Sequence, residues 1–263
     1  MQEQEKLSVR TPAGLLQQIA AFSAHFGKYR RWVSVNLAEN FAEIGENMRR
    51  FQAGFPEQVG ILAQNGWFIS LDTPLAAIYP VADLFRAGNV TEGHKQMCGH
   101  FSRIRQDIED NLTTSFPERR RILQKAFRAH DAGDYELSVP VFLAQADGIA
   151  KKILGVSIYS RKSAVVRRMG DVIANIAAEE LEDSLLRVVL KALPLTASTG
   201  SGAQGAGELN RHEVLHGIDT QYATELNSYR AISWLQCAAH FDEAKKCSNR
   251  RSQKVGQADV PKP

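Results

Sequence analysis

Apolar residues in this chain recur at spacings of three and four, and no stretch alternates apolar and polar residues convincingly. That is the repeat of roughly 3.6 residues expected of amphipathic helices, so the pattern predicts an all-α fold without an extensive sheet. Residues 13–27 read as a short apolar helix ending near Gly27. Over 29–55, Leu37, Phe41, Ile44, Met48, Phe51 and Phe55 draw one apolar stripe along a second helix. The stripe is too short for a sustained heptad array, so it predicts core packing rather than a coiled coil. Residues 56–88 predict two shorter helices punctuated by Gly66, Pro74 and Pro80, with Trp67, Phe68 and Tyr79 as core.

The middle of the chain is more sharply patterned. Residues 93–112 place Phe101, Ile104, Ile108 and Leu112 on one side of a polar helix. Ser115 then reads as the cap of a new helix, with Pro117 in its first turn and Glu118 completing a capping box. Gly133 breaks that helix, and Asp134 opens a long apolar one to about Leu154, faced by Val139, Phe142, Ala146, Ile149 and Ile153. The short connection predicts an antiparallel helical hairpin, with Pro140 a candidate kink. Residues 164–193 predict one long or two medium helices ending before Pro194. The Gly, Ser, Ala and Thr of 196–207 predict a flexible loop. A short helix stopped by Gly217 follows. A last helix over 223–245 carries Leu226, Tyr229, Ile232, Leu235 and Phe241. Residues 246–263 are basic, polar and nearly free of apolar residues, and predict a disordered tail. These boundaries suggest an N-terminal helical region over 1–114 and a helical domain over 115–245.

Composition narrows the class. Apolar residues make up 44% of 263, enough for a sizeable core. The formal net charge of +3 permits an RNA partner without demanding one. Cys98, Cys237 and Cys247 are odd in number and scattered, which predicts a reducing compartment and no disulfide framework. The first residues show no secretory pattern, and no run approaches a membrane span. The expectation is a soluble, cytoplasmic protein.

The chemistry concentrates in Asn210-Arg211-His212-Glu213-Val214-Leu215-His216-Gly217. Two signatures overlap there. His212, Glu213 and His216 spell His-Glu-x-x-His, the zinc-peptidase pattern, in which Glu213 would polarise a metal-bound water. That reading needs a third ligand, for which Glu225, Asp242 and Glu243 are the candidates. Against it stand a helix that stops at Gly217, the lack of an upstream edge strand, and a cation, Arg211, beside the metal position. The other signature is Arg-polar-x-x-x-His. A histidine that titrates near neutrality can take a ribose hydroxyl proton, and an arginine can fork onto phosphate oxygens.

This second stretch, followed by a polar loop and an apolar helix, resembles the HEPN superfamily. It is also similar to a group of uncharacterised bacterial proteins with an Asn-Arg-His-x-x-x-His-Gly core. In that group a Tyr-x-Thr-Glu-x-Asn segment lies downstream, matched here by Tyr222-Ala223-Thr224-Glu225-Leu226-Asn227. A Gln-x-Asp-Gly-Ile helix end lies upstream, matched by Gln145-Ala146-Asp147-Gly148-Ile149. The resemblance covers about 115–245. It implies a HEPN-like bundle with an N-terminal helical extension. It also implies a metal-independent endoribonuclease needing no cofactor, of toxin or antiphage class, acting as a homodimer on single-stranded RNA. An antitoxin or regulatory protein is an implied partner. Arg211 and His216 would be catalytic, with Asn210, His212, Asp147 and Glu225 auxiliary. Arg211 and His216 are five apart and diverge by about 140° on a regular helix, which favours two motif helices facing each other across a dimer. The alternative is a non-catalytic scaffold of the same fold, with Arg211 paired to Glu208, Asp147 or Glu225 and Asp147 tying its helix to the motif helix.

Overall fold

The computed structural model describes residues 41–71, 73–177, 180–197 and 208–258. The expected helix over 13–27, the Leu37 end of the apolar stripe and most of the 196–207 loop lie outside the described residues. Among the described residues all regular structure is helical, as the periodicity predicts. The helices are α1 (Phe41–Gln64), α2 (Leu75–Arg86), α3 (Val90–Ser115), α4 (Arg120–Asp131), α5 (Tyr135–Leu154), α6 (Ser163–Ile176), α7 (Glu180–Arg187), α8 (Arg211–Leu215) and α9 (Glu225–Ala258).

Helix α9 is the axis. From Asn227 to Phe241 nearly every side chain is buried, whichever way it points. Small residues make this possible: Ser228, Ala231, Ser233, Ala238 and Ala239 let neighbouring helices approach from several sides. A helix buried all round needs partners all round. Here α5 lies along one side, while α3, α6 and α7 cover the others. The largest apolar side chains fill the gaps between them, including Trp67, Trp234, Phe101, Phe127, Phe142 and Phe241. The core runs without interruption from Phe55 to Ala244, across the 114/115 boundary.

The hairpin of α4 and α5 forms as expected. Gly133 takes φ of 80°, the left-handed conformation that glycine adopts most readily, and turns the chain between them. A buried polar chain locks the hairpin to α9: Ser228 Oγ lies 2.8 Å from His130 Nδ1 and 2.9 Å from Ser138 Oγ. Three helices therefore share one satisfied polar cluster instead of an apolar contact.

Several boundaries differ from the sequence expectation. The stripe helix does not stop near residue 55; α1 runs through Pro56 to Gln64, because Phe55, Val59, Leu62 and Ala63 continue the buried face. The capping box is not formed. Ser115 is the last residue of α3, Pro117–Arg119 make a 3-10 turn, and α4 opens without a side-chain cap. Phe116, 1% exposed, anchors the joint, and Glu118 turns outward to Lys152 at 2.9 Å. The segment over 164–193 divides into α6 and α7. Of the tail expected to be disordered, 246–258 are helical, since α9 continues to Ala258, and 259–263 lie outside the described residues. Lys, Arg, Gln and Ser permit helix, and Ser248 Oγ docks on the Asn175 carbonyl at 3.1 Å.

One buried ion pair ties α7 to α9. His240 Nε2 lies 3.6 Å from Glu182 and its Nδ1 lies 3.2 Å from Glu243. Burial opposes a charge on His240, but the bonds and charges of Glu182 and Glu243 outweigh it and push its pKa up to about 9. A raised folded-state pKa means that this stabilisation is full below the ordinary histidine value and is lost as pH rises through about 9. The melting temperature is therefore expected to fall between pH 7 and pH 10, and His240→Gln is expected to flatten that fall. Parallel pH–melting curves for the two proteins would remove the pair as the cause.

Candidate functional site

The motif helix is built by its cap. Asn210, 1% exposed, takes extended backbone angles before α8, and its Oδ1 accepts from the backbone N–H of His212 at 2.8 Å and of Glu213 at 3.3 Å. This is an N-cap in the full sense, satisfying donors that a helix start otherwise leaves open. Asn210 Nδ2 also reaches the Ala197 carbonyl at 3.4 Å, so the cap ties α8 to the chain before the Gly-rich segment. Val214 is the buried anchor of the helix. Gly217 ends it at φ of 69°, and the N–H of Ile218 returns to the Glu213 carbonyl at 2.8 Å.

The side chains of α8 leave it in two directions. Arg211 is half-buried and lays its guanidinium over the ring of Tyr159, with Cζ 4.2 Å from the ring centre. That is a cation–π contact on a fixed platform. Tyr159 is buried, its Oη donates to the Leu143 carbonyl at 2.8 Å, and it accepts from Trp234 Nε1 at 2.9 Å. Burial, before any other cause, drives its phenol well above the ordinary tyrosine range. The platform is thus a neutral ring whose hydroxyl is fully engaged. Among the described residues Arg211 forms no ion pair, and its Nε is buried without a hydrogen-bond partner. The expected pairings with Glu208, Asp147 or Glu225 are replaced by the aromatic face.

The two histidines, one turn apart, come together. His212 and His216 bring their ring centres to 4.3 Å, tilted by 51°. His212 is half-buried, and His216 is exposed as the C-terminal cap. Glu213 lies between them along the helix and is half-buried. The candidate third zinc ligands are not brought to them. Asp242 pairs with Lys246 at 2.5 Å and Glu243 with His240. Among the described residues no group of three metal-binding side chains occurs.

The other predicted residues act at a remove. Asp147 does not bond α8 directly. Its Oδ1 accepts from Ser157 Oγ at 2.7 Å and from the N–H of Ile158 at 3.0 Å, fixing the loop that presents Tyr159. Its contribution to Arg211 is therefore made through the platform. Glu225 opens α9, with Thr224 Oγ1 capping that helix by accepting from the N–H of Asn227 at 3.1 Å. Its charge is felt at Cys98, whose thiol burial pushes up to about 11 with Glu225 adding to the shift.

Sequence reasoning missed Tyr159, the residue on which the arginine rests. It also missed Arg230, 4% exposed on α9, which donates to Asn227 Oδ1 at 3.0 Å and meets His94 Nε2 at 3.0 Å. His94 Nδ1 in turn accepts from Trp67 Nε1 at 3.0 Å. Burial, then the charge of Arg230, lowers the His94 pKa to about 4. The only sequence signal was the Tyr-x-Thr-Glu-x-Asn segment, whose Asn227 holds Arg230 and donates to the Tyr222 carbonyl at 3.0 Å.

No family model, curated protein or solved structure matches the chain. No helix among the described residues is long and apolar enough to cross a membrane.

The cap and the platform make separable predictions. Asn210→Ala is expected to cost about 1 kcal/mol, the usual worth of an N-cap. Tyr159→Phe keeps the ring under Arg211 but leaves the buried Trp234 N–H without its acceptor, at a cost of about 1–3 kcal/mol. Denaturant titration reads both, and a Tyr159→Phe protein as stable as the parent would remove the hydroxyl from the argument.

Proposed function

We propose that α8 carries a metal-independent RNA-cleaving centre of the HEPN kind. The observation that carries this reading is the state of Arg211. It is a half-buried guanidinium, stacked on a fixed ring, with no carboxylate partner among the described residues, on the same short helix as a histidine pair. A cation held in place without a counter-charge is preorganised for an anion. Phosphate suits the fork of the guanidinium, and the neighbouring imidazoles suit proton transfer at neutral pH.

In this reading His216 takes the proton of a ribose 2′-hydroxyl. The 2′-oxygen bonds to the adjacent phosphorus while Arg211 holds the charge that develops on its oxygens. The 5′-oxygen then leaves with a proton returned to it, giving a 2′,3′-cyclic phosphate and a free 5′-hydroxyl. His212 supports His216, and Asn210 sets the helix that carries both. The two side chains diverge, so Arg211 of one copy and His216 of another complete a site when two α8 helices face each other. Leu215 and Ile218, 41% and 54% exposed beside His216, supply apolar surface for that meeting. The substrate would be single-stranded RNA, and the biological role a toxin or antiphage effector held in check by a protein partner.

The platform also favours a second reading. Arg211 stacked on Tyr159 joins α8 to the core, so the same contact serves a scaffold without catalysis.

Mutation separates them. His216→Ala is expected to lower cleavage of a single-stranded oligonucleotide by about 10²–10⁴-fold. Arg211→Lys should fail as well, because an ammonium does not make the same forked contact. Glu213→Ala and added chelator should leave cleavage intact. Folded parent protein that leaves RNA whole, or activity abolished by Glu213→Ala but kept by His216→Ala, would reject the proposal. Light scattering at micromolar concentration tests the pairing of α8 helices: a fully active monomer would refute it.

A further inference from the structure

Positive charge is not spread evenly along this chain. Residues 150–177 contain six of the 32 lysines and arginines but one of the 29 acidic residues, so the rest of the chain is net acidic by two. These cations belong to the end of α5, the loop carrying Tyr159, and α6. Two of the six have structural work. Lys152 pairs with Glu118 at 2.9 Å, and Arg161 donates to the carbonyls of Val189 and Ile158 at 2.9 and 2.8 Å. The other four, Lys151, Lys162, Arg167 and Arg168, are exposed and enter no ion pair among the described residues.

Lys151 complements the dipole at the C-terminal turn of α5, but local stability does not account for the other three. Lys162 sits at the N-cap position of α6, whose first turn holds no acidic residue. A cation there meets the positive end of the helix dipole, which is unfavourable. Arg167 and Arg168 follow as the fifth and sixth residues of the same helix. Two of the four flank the loop that carries Tyr159. Lys151 lies one turn beyond Asp147 on α5, and Asp147 holds the loop over which Arg211 stacks. Arg168 closes the other side: a Cβ placed on Gly155, at the end of α5, would lie 3.2 Å from its Nη2.

We infer that Lys151, Lys162, Arg167 and Arg168 form a cationic track that holds the phosphate backbone of single-stranded RNA and leads it to Arg211. The inference rests on the proposed cleavage site for its direction and on charge complementarity for its partner. A flexible single strand can follow exposed side chains around a helix end, and it offers one negative charge per nucleotide. Binding of this kind is read from salt: each phosphate contact contributes about 0.7 to the slope of log affinity against log salt for a single strand.

The experiment uses the full chain carrying His216→Ala, so that RNA survives, and measures anisotropy of a fluorescent oligouridine across a salt series. Adding Lys151→Gln, Lys162→Gln, Arg167→Gln and Arg168→Gln is expected to flatten the slope by about 2.8 and to weaken binding at least about tenfold at low salt. A control triple variant on α4, Arg121→Gln, Lys125→Gln and Arg128→Gln, removes exposed charge elsewhere and is expected to leave the slope unchanged. Equal effects from both variants, or none from the track variant, would overturn the inference. So would track-dependent binding to phosphatidylserine vesicles without binding to RNA, which would assign the surface to a membrane. In the His216-containing protein, cleavage unaffected by the track variant would also overturn it. Track-dependent binding by a parent protein that never cleaves would leave the track standing and reject only the catalytic reading.

Discussion

The hydrogen bond from Trp234 to Tyr159 is the contact on which the rest of this structure depends. Trp234 is fully buried on the central helix, with its indole edge-on to Phe68 at 4.4 Å. A buried indole N–H needs an acceptor, and a buried phenol needs both a donor and an acceptor. The two meet these needs together, since Tyr159 passes its own proton to the Leu143 carbonyl. One short relay thus fixes α9, α5 and the loop between α5 and α6. The upper face of the tyrosine ring is left to Arg211. Core packing and the candidate site are consequently one construction.

The same economy shapes the electrostatics. Arg211 is held near the core by a ring, not by a carboxylate, so its charge is placed without being cancelled. Arg230, more deeply buried, is treated differently. It donates to Asn227, meets His94 and feels the charge of Glu208, while burial lowers its pKa to about 10. His240 is treated differently again, being charged by two glutamates that outweigh its burial. Three buried or half-buried cations are thus stabilised by three distinct means. Of these three, Arg211 is the one held by an aromatic face.

Much of the fold was legible because its signals are local. The α4–α5 hairpin followed from Gly133 and the period of Val139, Phe142, Ala146 and Ile149, all of which are buried. The brevity of α8 followed from Gly217. The failures are tertiary. A Ser-x-x-Glu pattern at Ser115 predicts a cap, but burial of Phe116 decides where α3 ends. A polar, basic run after residue 245 predicts disorder, yet it extends a helix already nucleated and docked. At the site, Asn210, Arg211, His212 and His216 were readable as a motif, and the histidine pair follows directly from their spacing of four. Tyr159 was not, because nothing in a single aromatic residue of a short loop says which distant side chain will lie over it. Asp147 was singled out correctly as a carboxylate needing partners, but those partners proved to be its own loop.

Helix α8 has five residues, one and a half turns, and this has a consequence for how the motif behaves in time. A helix so short never recovers its nucleation cost from its own hydrogen bonds. Its order is borrowed from Asn210, Val214, the glycine turn and the tyrosine beneath Arg211. The histidines and the arginine are therefore placed by these few contacts and not by the helix's own hydrogen bonds. A change at any one of these contacts would move Arg211, His212 and His216 together, since all three are carried on the same one and a half turns.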